Sequence, residues 1–297
     1  MPNRKTSSPQ YQHPESMVTP AWLEQHLGEP RLRIFDCTTY LVAPNDQSAY
    51  EVVSGRDDYL TGHIPGAAYL DLQNDLSLAD SPYRFTMPPL DDLARRFANA
   101  GIDDNCQVVL STRGSLQWAT RIWWMLRAVG FDKAAILDGG WERWQSEGRP
   151  IETKENHYPV GVLTAQPRPA LFTDKHGVLA AMHDDQSCVI NALSAQLHAG
   201  ESARYGRAGR IAGSVNVPAA ALRDADTGNL VDAATADALF ASVGASPATP
   251  VVIYCGGGIA ATLDAFVLHQ LGHEQVTVYD HSLSEWCADQ SLPMEVD

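Results

Sequence analysis

The residue best placed for chemistry is Cys255, within Val251-Val-Ile-Tyr-Cys-Gly-Gly-Gly-Ile-Ala260. It stands where a short β-branched run, Val251 to Tyr254, ends and a helical pattern is about to begin. In open α/β sheets, ligands bind at the carboxyl ends of the strands. The glycines Gly256, Gly257 and Gly258, with Ile259 and Ala260, let the backbone fold tightly and turn its N–H groups inward, and the helix N-terminus behind them adds positive partial charge. A thiolate formed there is stabilised, and an accessible thiolate is what nucleophilic sulfur chemistry needs. A nucleotide-phosphate loop is a poor rival, because GGGIAAT lacks the lysine that reaches the phosphates.

The elements that position this loop occur twice. VVLSTRGSLQWATRIWWMLRAVGFDKAAILDGGWERW, from Val108, matches VVIYCGGGIAATLDAFVLHQLGHEQVTVYDHSLSEW, from Val251. Gly130 and Gly272, Asp138 and Asp280, and Trp144 and Trp286 each stand 142 positions apart. Upstream, GHIPGAAYL at Gly62 pairs with GRIAGSVNV at Gly209. Each copy reads as strand, loop, helix, strand, which predicts two tandem α/β domains with mainly parallel sheets flanked by helices. A chain of 297 residues accommodates two such cores. We expect a flexible tail over residues 1–16, an N-terminal domain over 17–150, a proline-bearing linker over 151–168 and a C-terminal domain over 169–297.

Composition narrows the function classes. The formal net charge of -15 repels phosphate backbones and anionic lipid, so neither nucleic acid nor membrane is expected as a partner. No apolar run approaches a membrane span, and the polar start lacks the core of a signal peptide. The five cysteines are odd in number, widely spaced and form no CxxC pair, which argues for a reducing, cytoplasmic setting and against a metal or disulfide framework. Cys37, Cys106, Cys188 and Cys287 begin no glycine-rich strand-to-helix loop and read as small buried packing residues.

Together these segments resemble the tandem rhodanese sulfurtransferases of the thiosulfate and 3-mercaptopyruvate type. GHIPGA at Gly62 to Ala67 resembles the first-domain signature, and LDGGWERW and YDHSLSEW resemble the domain-closing motifs. The resemblance implies that Cys255 takes a sulfane sulfur from a small anionic donor as a persulfide and passes it to a thiol or cyanide, without metal or organic cofactor. Thr112 stands in the first copy where Cys255 stands in the second, so the first domain has no catalytic cysteine. The loop departs from the family in detail. Gly256 and Gly257 replace the basic residues of thiosulfate-type members, and Gly257 replaces the serine of the mercaptopyruvate type. Leu193 and Leu197 stand where family arginines would, and Asn191 replaces an aspartate.

An anionic donor calls for local positive charge in an acidic protein. Arg204, Arg207 and Arg210 are candidates, with Arg207 and Arg210 preferred, and Arg113 is expected to approach from the first domain. His63, in GHIPGA, is either a proton relay or a residue that orients its own loop. Trp123, Trp124 and Trp141 read as core. Two alternatives remain: a non-enzymatic module for sulfur sensing or protein binding, disfavoured by the intact Cys255, and a phosphatase or arsenate reductase, which needs an arginine where Ala261 stands.

Overall fold

The computed structural model describes residues 9–43 and 50–297. It holds two five-stranded sheets, each parallel throughout. The first runs in the order Met17–Val18, Ala134–Leu137, Gln107–Ser111, Leu32–Asp36, Ala68–Tyr69. The second runs Phe172–Thr173, Val276–Tyr279, Val251–Tyr254, Cys188–Asn191, Val215–Asn216. The two orders correspond strand for strand under the repeat. Parallel sheets are covered on both faces, so their central strands read as unbroken apolar runs. Val108, Val109 and Leu110 accordingly have no solvent exposure.

The helices Gln117–Ala128 and Ala260–Gln270 pack against each other across the domain boundary. Each covers its own sheet on one side and the other domain on the opposite side. A helix buried on two sides has little use for a polar face, which explains why WATRIWWML is apolar almost all round. Trp123 meets Phe266 edge-on with ring centroids 4.8 Å apart, and its indole N–H donates to the Ala134 carbonyl. Trp123, Trp124 and Trp141 are core residues, as expected.

The expected flexible tail fails within residues 9–16: residues 11–13 dock on the second domain and Pro14–Ser16 packs against the first sheet; residues 1–8 lie outside the described residues. The Tyr11 hydroxyl donates to the Val231 carbonyl at 2.7 Å, the Gln12 amide donates to Gln270, and the His13 ring stacks on His269 at 4.0 Å. The tail has apolar rings and amide groups for which the second domain has partners, and the polar composition hid this. The segment 151–168 lies along the first domain: Glu152 pairs with His63, the Tyr158 hydroxyl donates to Gly66, and the Gln166 amide donates to Val129. Among the described residues, no helix is long and apolar enough to cross a membrane.

Candidate active site

Cys255 follows the strand Val251–Tyr254 directly and is only 2% exposed, at the floor of a cleft between the domains. The loop after it is held from behind by the helix Ser282–Trp286. The Ser282 hydroxyl accepts from the amides of Cys255 (3.0 Å) and Gly258 (3.1 Å) and donates to the Tyr279 carbonyl (2.8 Å), which uses its whole hydrogen-bonding capacity. The carbonyls of Cys255 and Gly256 point back to the amides of Leu283 and Ser284. With those carbonyls turned outward, the amides of Gly256, Gly257, Ile259 and Ala260 have no acceptor among the described residues, and those four residues line the cleft. Unpaired amides at a helix N-terminus form an anion cradle.

One of the expected cradle residues does not belong to it. The Gly258 amide is taken by Ser282, and its backbone is left-handed, φ +72°, with the Asp280 carbonyl so close that a methyl group would overlap it. Gly258 is the turn that lets the other amides converge. Among the described residues, two non-glycine residues also adopt positive φ, Ser282 at 51° and Phe85 at 60°, and both border this loop or its cleft. Strained backbone of this kind persists where the surroundings over-determine it.

The cleft has a volume of about 680 Å³ and is lined from both domains. The first domain supplies Tyr50, Arg84 and Phe85, and the second supplies Arg204, Tyr205 and Ser284. Arg204 lies over the Tyr50 ring, 4.5 Å from its centroid, and donates to its hydroxyl; Arg84 donates to the Tyr50 carbonyl. The cleft therefore carries two guanidinium groups in a protein of net charge -15. A third, Arg121, is fully buried behind the loop. It donates to the Gly258 carbonyl (3.1 Å), the Phe85 carbonyl (2.9 Å) and the Asp280 carboxylate (2.5 Å), while Asp280 also accepts from the Met87 amide at 3.0 Å. One side chain of the first domain thus ties the loop of the second to the segment that bears Arg84.

Of the arginines proposed from sequence, only Arg204 lines the cleft. Arg207 donates to the Asp289 and Leu292 carbonyls, and Arg210 pairs with Glu295 and Asp297; both fasten the C-terminal end. Positive-φ turns at Gly206 and Gly209 send the three neighbouring arginines in different directions. Arg113 stays within its own domain, stacked over Trp141 at 4.2 Å and donating to the Gly62 and Asp58 carbonyls. His63 is buried, with one ring nitrogen on the Tyr59 carbonyl and the other on Lys154, so it orients its own loop and does not border the cleft. Burial pushes the thiols of Cys37, Cys106, Cys188 and Cys287 up, which keeps them protonated and inert. Sequence reasoning missed Arg84, Arg121, Tyr205 and Ser282. The recurring Asp138/Asp280 pair does not lead to Arg121, because Asp138 pairs with Arg143 of its own domain and only Asp280 pairs with Arg121.

Comparison with known proteins gives the family of the chain. The rhodanese-like domain family matches residues 19–147 and again 179–289. The chain is 31% identical to the 3-mercaptopyruvate sulfurtransferase of Escherichia coli K12 over 277 residues, covering 92% of this chain and 95% of the relative. It is 27% identical to the thiosulfate sulfurtransferase of Rattus norvegicus, covering 91% of each. The crystal structure of the 3-mercaptopyruvate sulfotransferase SseA from Escherichia coli superposes with a TM-score of 0.77 at 29% identity, covering 90% of this chain and 98% of that one. The chain belongs to the rhodanese family.

In this rhodanese the two copies of the loop have diverged. In the first, Thr112 stands at the strand end with its hydroxyl on the carbonyls of Arg113 and Ser115. The Gly114 amide donates to a Glu142 carboxylate oxygen at 2.8 Å, and Arg223 of the second domain donates to the Gly114 carbonyl at 2.8 Å. The rhodanese loop around Cys255 has no such internal carboxylate among the described residues.

Proposed function

We propose that this rhodanese is a sulfurtransferase in which the Cys255 thiolate takes a sulfane sulfur from a small anionic donor and delivers it to a thiol or to cyanide. The observation that carries the reading is Cys255 at the floor of a cleft, beneath four unpaired amides and beside Arg84 and Arg204. With thiosulfate, the thiolate attacks the outer sulfur, an S–S bond forms, and the old S–S bond leaves with its electron pair as sulfite. With 3-mercaptopyruvate, the thiolate attacks the thiol sulfur and the C–S electron pair leaves with the carbon fragment. The acceptor then attacks the outer persulfide sulfur and releases the Cys255 thiolate, a double displacement with ping-pong kinetics. The amides stabilise the anionic persulfide, and the guanidinium groups hold the sulfonate or carboxylate of the donor. Both donors are named for relatives of this chain. The negative surface speaks against nucleic acid and anionic membranes as partners, and five unpaired cysteines suit a reducing, cytoplasmic compartment.

The test is mass spectrometry after incubation with each donor. One sulfur atom should be added to the peptide containing Cys255, cyanide should remove it, and Cys255→Ser should abolish turnover with an unchanged circular dichroism spectrum. Full activity in the serine variant would overturn the reading.

A further inference from the structure

Tyr205 is a residue with no part in the amide cradle, yet it stands beside it. It follows Arg204 in the second domain, is half-buried, and lines the cleft together with Cys255. Its phenol lies against the backbone of Gly256, so closely that a methyl group on that glycine would overlap the hydroxyl. The hydroxyl has no hydrogen-bond partner among the described residues. By contrast, the hydroxyls of the fully buried Tyr254 and Tyr279 are bonded to Ser214 and Glu285. An aromatic ring packed on a catalytic loop normally finds a partner for its polar end. Here that end faces the cleft.

We propose that the Tyr205 hydroxyl donates a hydrogen bond to the oxygen of a 2-oxo thiol donor such as 3-mercaptopyruvate as that oxygen gains charge, and so makes Tyr205 a catalytic and specificity-determining residue. The proposal rests on the sulfurtransferase reading above. When the thiolate attacks the donor sulfur, the S–S bond forms and the C–S bond breaks. Its electron pair passes into the adjacent carbonyl as an enolate, and the thiol proton stays on the transferred sulfur. The enolate carbon then takes a proton from water in the open cleft, the hydroxide so formed takes the persulfide proton, and the 2-oxo acid leaves beside an anionic persulfide. The charge develops on the carbonyl oxygen, and a pre-placed O–H donor there acts as one half of an oxyanion hole. Burial, reinforced by the nearby Cys255, pushes the phenol up, so it remains a donor throughout the working pH range. Thiosulfate passes through no enolate and asks less of this group.

The neighbouring position supplies a control. A methyl group at Gly257 meets nothing nearer than the Ser284 hydroxyl at 3.7 Å, so a serine fits there and offers a hydroxyl to the same cleft. The experiment measures kcat/KM for 3-mercaptopyruvate and for thiosulfate in the wild type, in Tyr205→Phe and in Tyr205→Phe/Gly257→Ser. Near-ultraviolet circular dichroism and Tm verify the fold. We expect Tyr205→Phe to lower the mercaptopyruvate value about 10²-fold, to lower the thiosulfate value by a clearly smaller factor, and to regain mercaptopyruvate activity when Gly257→Ser is added. Equal losses with both donors, or no loss, would overturn the assignment. So would a wild type that uses thiosulfate but not mercaptopyruvate. A wild type that transfers sulfur from neither donor would instead overturn the sulfurtransferase reading itself.

Discussion

The Oγ1 atoms of Thr120 and Thr262 lie 3.0 Å apart in the buried helix–helix contact, and the two residues are 142 positions apart in the chain. That is the interval between the paired motifs, so each domain meets the other through the same residue of its own copy. An isologous contact of this kind belongs to two-fold assemblies; here it lies within one chain. Thr262 donates to the Ile259 carbonyl at 2.7 Å, which leaves the Thr120 proton for the contact with Thr262, shared with the Gln117 carbonyl at 3.1 Å. Thr262→Val should therefore cost about 1 kcal/mol, a Tm loss of about 2–4 °C. The double variant with Thr120→Val should cost little more, because the shared hydrogen bond is lost only once. Thermal denaturation of the three variants checks this.

Arg121 predicts a coupling between domain contact and chemistry. Arg121→Lys retains the charge but cannot reach Gly258, Phe85 and Asp280 together. Such a variant should fold and lose about tenfold in kcat/KM, the worth of roughly one charge-assisted hydrogen bond. Arg121→Met leaves Asp280 without its guanidinium partner and should be the less stable of the two, by about 3–5 kcal/mol relative to wild type if the pair behaves as a buried one. Equal activity of Arg121→Lys and wild type would show that the loop holds its shape unaided.

The four arginines should separate cleanly in kinetics. Arg84→Ala and Arg204→Ala should each raise the donor KM about ten- to a hundred-fold, the equivalent of about 1.5–3 kcal/mol. Arg207→Ala and Arg210→Ala should leave KM near the wild-type value and lower Tm instead, since their partners are Asp289, Leu292, Glu295 and Asp297. Steady-state assays with both donors, alongside thermal scans, measure both effects.

Stability should fall as the medium turns acidic, and two histidines contribute. Burial and Arg210 push His198 down to about 4, and burial, Arg127 and His13 push His269 down to about 3. His198 accepts at Nδ1 from the Asn191 amide nitrogen, which suits the neutral ring. In the unfolded chain both titrate near 6.5. Below that pH the unfolded state binds protons that the folded state refuses. The stabilisation is therefore complete above about pH 6.5 and is lost progressively as pH falls toward 4 and then 3. Tm measured from pH 7 to 4 should decline, and His198→Gln/His269→Gln should decline less steeply.

The candidate nucleophile and the shape of its loop were legible because local rules determine them: a β-branched run, three glycines and a helical pattern are contiguous in sequence. The donor pocket was not, because its charge comes from places that share no local pattern. Arg84 lies in SPYRFTMPP, a segment of the other domain without strand or helical periodicity. Arg204, Arg207 and Arg210 look equivalent in a linear reading, and only the turns between them decide which one meets the cleft. Ser282 looked like one more polar residue of a domain-closing motif until the chain folded it behind Cys255.

Glu142 gives the first copy of the loop a ligand of its own. Its carboxylate oxygen already sits on the Gly114 amide, where a foreign anion would otherwise be received. Restoring a cysteine at position 112 would thus place a nucleophile beside a resident negative group, which disfavours the thiolate and the persulfide alike. The first copy of the loop is thus occupied by its own side chain, and giving it sulfur chemistry demands two changes at once: a sulfur gained and a carboxylate removed.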